Sequence, residues 1–288
     1  MVALNLACGV YYISNLNWVN VDWEANSSGV QQMDLSKPLK FENKKFDFLY
    51  TSHFIEHITY RQAEVLLSEC YRVLSPGGVI RIITPDFEKI CREYLRQIES
   101  GSLQKSEYMK FTLIDQMVRT KPGGESGTWR ALSQGNSDLK EFMSLWAGVP
   151  VGQGQSEGYN NGKIYSLWKK ITRVLKNPHS LKRYVLWQYY KKISLLFPKW
   201  FRYQHIAFCR PGERHLYLFD FDSLKALLEK VGFTEVVRST ASFSISGRSD
   251  ILQLDLDSHG KPRKGEESMF VEARRTVNSC HRTERIRS

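Results

Sequence analysis

Four short apolar runs in the first third of the chain each stop at a small or polar residue. That rhythm restricts the fold more than any other feature. The runs cover residues 2–6, 19–21, 46–50 and 79–83. Between the last two, "AEVLLSECYRVL" sets Val65, Leu66, Cys70, Val73 and Leu74 at helical spacing. Alternating strands and helices predict a parallel, doubly wound α/β sheet. The sequence Pro76-Gly77-Gly78 before the last run reads as a turn, because glycine accepts positive φ without steric cost. After Asp86 the pattern turns helical and irregular to about residue 213, with a Gly-rich loop at 121–127. From Phe219 the α/β pattern resumes. "FDSLKALLEKVGF" lines up Leu224, Leu227, Leu228 and Val231, with Gly232 as its C-terminal stop. Two closing strands, within 234–245 and 268–275, are expected to be antiparallel to each other.

Ligands of doubly wound sheets bind beyond the carboxyl ends of the strands. Four such ends are legible. "LACG" lets a ligand approach the backbone closely at Ala7 and Gly9. "VNVDWE" places Asp22 where a carboxylate can bind two ribose hydroxyls, with helix capping as its alternative role. "QQMDLSKPL" brings Asp34 to a position suited to a base edge. "FDFLYTSHFIEHI" ends in Ser52-His53, followed by Glu56-His57. Gly9 and Asp22 are thirteen positions apart. The dinucleotide version uses about twenty, so any helix between them must be short or partly irregular.

With "ECYRVLSPGGVIRIITPD" added, this ordered series resembles class I S-adenosylmethionine-dependent methyltransferases of the type 11 kind. The resemblance covers about residues 1–95 and resumes at "GERHLYLFDFDSLKALLEKVGF". That second segment, with "IDQMVRTKPGGE", looks like members associated with surface-polysaccharide biosynthesis. It implies a mostly parallel, seven-stranded Rossmann-like sheet with an α-helical insertion. The implied organisation is a cofactor-binding half at 1–95, a helical and partly basic insertion or cap at 96–213, and closing α/β elements at 214–277. A disordered tail is expected at 278–288. It also implies that Asn5, Ala7 and Gly9 shape the turn beside the methionine part of the cofactor. Asp22 would hold the ribose, and Asp34 with Leu35 would border the adenine. Ser52 and His53 would close the pocket and face the acceptor. Two positions depart from the pattern. Ala7 stands where glycine is commonest, and Asn5 stands where many relatives carry an acid. Alanine suits the turn provided its φ is negative.

Methyl transfer asks little of the protein, since the sulfonium is already an activated donor and the enzyme chiefly aligns the acceptor. An alcohol acceptor must still lose a proton, for which histidine is suited. His53 is the first candidate base because it sits at the strand end. His215, in "GERH", is the second. His57 is the third, with packing at a helix start as its other role. No metal is expected from the spacing of Asp and His. The reading is O-methylation of a sugar or surface-glycan precursor. Its alternatives are a small metabolite, a lipid-linked intermediate, or a non-catalytic cofactor-fold protein that binds membrane or an anionic polymer.

The charge of +11 is local. Residues 158–212 hold twelve Lys and Arg and no Asp or Glu, so the remainder of the chain is near neutral. In that stretch Trp168, Trp187, Tyr189, Tyr190, Phe197, Trp200 and Phe201 alternate with cations. An anionic membrane surface reached through 163–202, or an ordinary solvated cap, fits this composition. Nucleic acid ranks below both, because the fourth strand end lacks the Asn/Asp-Pro-Pro-aromatic motif of base-amino methyltransferases. Five cysteines without a CxxC pair argue for a reducing compartment. With no apolar run long enough to span a bilayer and a strand near residue 1, a cytoplasmic protein is expected, peripheral at most to a membrane. The oligomeric state is not legible.

Overall fold

The computed structural model describes residues 1–25, 27–148, 178–209 and 212–277. Seven strands form one sheet: β1 (Ala3–Leu6), β2 (Trp18–Asp22), β3 (Val30–Gln32), β4 (Phe46–Ser52), β5 (Leu74–Pro85), β6 (Phe233–Ser239) and β7 (Ser268–Arg275). Their spatial order is β3-β2-β1-β4-β5-β7-β6. The first five are mutually parallel, and β7 is antiparallel to both β5 and β6. This is the Rossmann-like doubly wound sheet expected, and the order reverses beside β1 and β4.

The helices are α1 (Tyr60–Val73), α2 (Phe87–Glu99), α3 (Leu103–Val118), α4 (Ser126–Leu132), α5 (Ser137–Ala147), α6 (Pro178–Ser194), α7 (Lys199–His205), α8 (Phe221–Val231) and α9 (Leu252–Asp255). Local chemistry sets their ends. Thr59 caps α1 through a reciprocal box with Gln62. Asp86 caps α2 by accepting the Lys89 N–H at 3.2 Å. Asp220 caps α8, and Gly232 ends it at φ 115°. Leu224, Leu227 and Leu228 are fully buried in the main core, as their spacing predicts, and Val231 is partly buried against it.

Two expectations need correction. No helix lies between β1 and β2: residues 7–17 form an irregular connection, long enough only to return the chain to the start of β2. Pro76-Gly77-Gly78 is not a free turn but part of β5, whose pairing with β4 shifts register between Phe46 and Phe48. Gly77 supplies the irregularity at φ 76°. A Cβ on Gly78 would lie 2.9 Å from the Ser75 carbonyl oxygen of its own strand and 3.0 Å from that of Asp47 on β4, which leaves no room for a side chain.

The chain divides into two compact units. One comprises Met1–Leu113, Trp146–Gly148 and the chain from His215 onward; the other comprises Ile114–Leu145 and the chain from Val149 to Arg214. The expected tail at 278–288 and the first part of the basic stretch, through residue 177, lie outside the described residues. Among those described, no helix is long and apolar enough to cross a membrane.

Candidate active site

The carboxyl ends of β1, β2 and β4 form one edge, and the turn after β1 is built around it. Asn5 is buried, and its Nδ2 donates to the Tyr11 carbonyl at 3.1 Å, pinning the loop to the strand. Ala7 has φ 54°. That is the left-handed region, so the condition of a negative φ is not met. A non-glycine residue there costs about 1–2 kcal/mol, which explains why glycine is the commoner solution. Gly9 follows at φ 57°, and nothing lies within 4 Å of where its Cβ would be. The Gly9 N–H donates to Asp22 Oδ2 at 2.8 Å, and the Glu24 N–H donates to Asp22 Oδ1 at 3.1 Å. Asp22 therefore joins the ends of β1 and β2. Burial pushes its carboxyl up, opposed by the backbone N–H groups of Gly9 and Trp23. Each carboxylate oxygen keeps a second lone pair for a ligand hydroxyl.

After β3, Asp34 is half-buried on a local turn. Its Oδ1 accepts from the Ser36 N–H at 3.1 Å and hydroxyl at 2.6 Å, which, led by the hydroxyl, holds its carboxyl below the usual range. Leu35 points the other way, into the main core.

At the end of β4, Ser52 closes the strand and His53 turns out of it at φ 51°. Strain of this kind in a non-glycine residue persists where the surroundings fix it. Here the His53 N–H donates to the Ile83 carbonyl at 2.8 Å. The ring faces two groups: Nε2 is 3.0 Å from Ser268 Oγ, and Nδ1 is 3.3 Å from Glu56 Oε1. Glu56 lies in the 3₁₀ turn Ile55–His57 and is fully buried. Its Oε2 accepts from the Thr84 hydroxyl at 3.1 Å, while Oε1 makes no well-formed hydrogen bond. Burial pushes the Glu56 carboxyl up, but His53 at bonding distance, then His57 and His215, outweigh it and carry it down to about 2. Glu56 is thus an anion surrounded by imidazoles.

Backbone bonds bring His215 to the same place. The Leu216 N–H donates to the Glu56 carbonyl at 2.7 Å, and the rings of His57 and His215 meet edge-on at 4.9 Å. The structure therefore gathers all three candidate histidines around one carboxylate. Glu56, His57 and His215 also place donor atoms within 4.8 Å of one another, a convergence the sequence spacing did not reveal. Half-buried Lys264 feels the same carboxylate: burial disfavours its ammonium, and Glu56, Glu267 and Asp255 partly restore it. Glu267 itself is pushed up to about 7 by burial and by Glu56, with Lys264 acting the other way. Lys264, Glu267, Ser268 and Thr84 were missed from sequence. Their signal is topological, since antiparallel β7 begins where parallel β5 ends, with Ser268 paired to Pro85.

Residues 13–82 match a protein family described as a methyltransferase domain. The seven-stranded sheet is Rossmann-like, and the match over residues 13–82 supports a methyltransferase as the enzyme class. Similar solved structures include an S-adenosylmethionine-dependent methyltransferase from Archaeoglobus fulgidus. It is 13% identical over 95% of this chain and 85% of that one, with a TM-score of 0.37. The CurJ carbon methyltransferase is 14% identical over 95% of this chain and 48% of that one, at 0.37. Haemonchus contortus phosphoethanolamine N-methyltransferase 1, solved with phosphoethanolamine and S-adenosylhomocysteine, is 14% identical over 30% and 22%, at 0.26. No curated protein matches the chain. The match over residues 13–82 points to S-adenosylmethionine as cofactor. The residues at the edge fit it: Gly9 leaves open space, and Asp22 retains lone pairs beside it.

Proposed function

We propose that this protein methylates a hydroxyl oxygen of a sugar or surface-glycan precursor, using S-adenosylmethionine. The observation that carries the oxygen chemistry is His53, held between buried Glu56 and Ser268 on the edge that also bears Gly9 and Asp22. When bound, the cofactor supplies a methyl group already activated on a sulfonium. The chain's own work is then to hold, orient and deprotonate. Asp22 and Gly9 hold the ribose side. Glu56 favours the tautomer with a proton on His53 Nδ1, leaving Nε2 as acceptor. That Nε2 faces the Ser268 hydroxyl, and an acceptor hydroxyl taking the same place would give its proton there. His57 and His215 line the carboxylate on its other side and favour its charged form. Asn5 and Asp34 support the loops that border the cofactor. The glycan acceptor is supported by the likeness of residues 114–125 and 212–233 to polysaccharide-associated members.

Two measurements test the reading. Calorimetry with S-adenosylhomocysteine should register binding, whereas a protein that has lost the cofactor would give no heat. Transfer of labelled methyl to nucleotide sugars and glycan fragments, against small phenols and amines, tests the acceptor. His53→Asn keeps a residue tolerant of positive φ and should lower turnover by about 10²–10⁴ with cofactor affinity nearly intact. Full turnover in that variant would remove His53 from the role.

A further inference from the structure

The basic stretch has no part in the site above, yet its described residues carry an unusual surface. Helices α6 and α7 are joined by a turn of Leu195, Leu196, Phe197 and Pro198. Leu195 is 64% exposed, Leu196 84% and Phe197 44%. The turn is ordered, not frayed. The Leu195 N–H donates to Lys192 O at 3.1 Å, Leu196 N–H to Ile193 O at 2.9 Å, and Phe197 N–H to Ser194 O at 3.2 Å. Phe197 also stacks on Phe201 with centroids 5.1 Å apart. Three large apolar side chains are therefore fixed in place and left facing water, which is costly unless something covers them.

The flanks indicate what the cover is. Lys191 and Lys192 precede the turn and Lys199 follows it, all exposed. Trp187 and Trp200, also exposed, stand beside these lysines, with Lys191 Nζ 5.2 Å from the Trp187 ring centroid. No carboxylate occurs from 158 to 212 to neutralise them. An apolar tip, a collar of lysines and flanking tryptophans suit the three layers of an anionic bilayer surface: acyl boundary, phosphate and interface. Single-stranded RNA would call for aromatic faces along a cationic groove. Two of the three tip residues here are aliphatic, and Leu195 and Leu196 offer a base nothing to stack on. Among the described residues no helix can cross the bilayer, so the contact is confined to one leaflet.

We propose that the α6–α7 turn is a docking wedge for an anionic lipid surface, with Leu195, Leu196 and Phe197 entering the acyl boundary and Lys191, Lys192 and Lys199 meeting phosphate.

The test uses the full chain and sedimentation with vesicles of phosphatidylcholine, with or without phosphatidylglycerol. The protein should sediment with the mixed vesicles alone and be released near 0.5 M salt, where the Debye length falls well below ~8 Å. Each lysine near such a surface contributes about fivefold in affinity. Replacing Lys191, Lys192 and Lys199 by Gln should therefore weaken binding roughly a hundredfold. The double variant Leu195→Ser, Leu196→Ser should lose binding with all cations in place. Thermal unfolding and S-adenosylhomocysteine affinity should match the parent, which separates loss of docking from loss of fold and from failure of the cofactor assignment. The proposal is overturned if the parent ignores mixed vesicles at low salt, or if the leucine variant binds as well as the parent. It is also overturned by equal binding to neutral vesicles, or by binding to single-stranded RNA in place of vesicles.

Discussion

Asp22 has two tasks that can be separated by measurement. Its carboxylate ties the Gly9 N–H to the end of β2 and presents remaining lone pairs at the edge. From sequence it reads as a ribose ligand with helix capping as its alternative; the bond to Gly9, thirteen residues upstream, is the structural share it carries in the fold. Asp22→Ala should weaken S-adenosylmethionine binding roughly tenfold to a hundredfold, the worth of charge-assisted bonds of about 1.5–3 kcal/mol. It should also lower stability by about 1 kcal/mol, since one backbone N–H loses its acceptor. Calorimetry for the first effect and urea titration for the second would decide; unchanged affinity would move the ribose site elsewhere. Ala7 marks the opposite limit of legibility. The sequence indicates that a tight turn stands there, but φ is a property of the folded loop, and an alanine can be forced positive when Asn5 and Asp22 hold both sides.

At the level of elements, the strand ends were legible and the long-range partners were not. Periodicity finds β1, β2, β4 and β5, and the residues directly after them fall on one edge because parallel strands all point the same way. The reversed strand β7 is different: its first residues, not its last, reach that edge. Ser268 therefore meets His53, and Glu267 just before it feels the Glu56 charge, although nothing in their own neighbourhood announces it. This placement has a pH consequence. The unfolded Glu267 carboxyl titrates near 4.5 and the folded one near 7, so the folded chain holds a proton that the unfolded chain has released. The associated stability is complete below pH 4.5, falls as pH rises to about 7, and is level beyond. Glu56 acts in the opposite sense, its contribution being present above pH 4.5 and lost as pH falls to about 2. Glu267→Gln should remove the decline on the neutral side and raise stability at pH 8 by about 1–2 kcal/mol, allowing for partial solvent screening. Thermal unfolding from pH 5 to 8 measures it, and parallel curves for variant and parent would refute the assignment.

The cofactor-side unit as a whole is held by a residue that looks unremarkable in the sequence. Arg81 sits in the middle of "GVIRIIT", a lone cation in an apolar strand, and is fully buried. Its guanidinium bonds Asp255 and Glu272, each at 2.9 Å, and the carbonyls of Thr240 at 2.6 Å and Phe243 at 2.9 Å. Asp255 in turn accepts from the Tyr50 hydroxyl at 2.8 Å. One side chain thereby joins β4, β5, β7, α9 and the segment after β6, from partners up to 191 positions away. No local pattern encodes such a separation, which is why the network was invisible before the fold was known. Burial pushes the Asp255 carboxyl up against the pull of Arg81, as expected where charges are desolvated together. A buried ion network of this kind is strongly destabilised by removing one partner, because the others stay buried and unpaired, yet replacing all partners together can be neutral. Arg81→Leu should thus cost about 3–5 kcal/mol and lower the melting temperature by roughly 6–15 °C. The triple variant Arg81→Met, Asp255→Leu, Glu272→Met should recover most of that loss, while S-adenosylhomocysteine affinity in the triple variant stays near the parent's. A single variant that melts with the parent would mean the network adds nothing to stability. A triple variant no better than the single would mean the arginine acts through its bonds to the Thr240 and Phe243 carbonyls and not through charge.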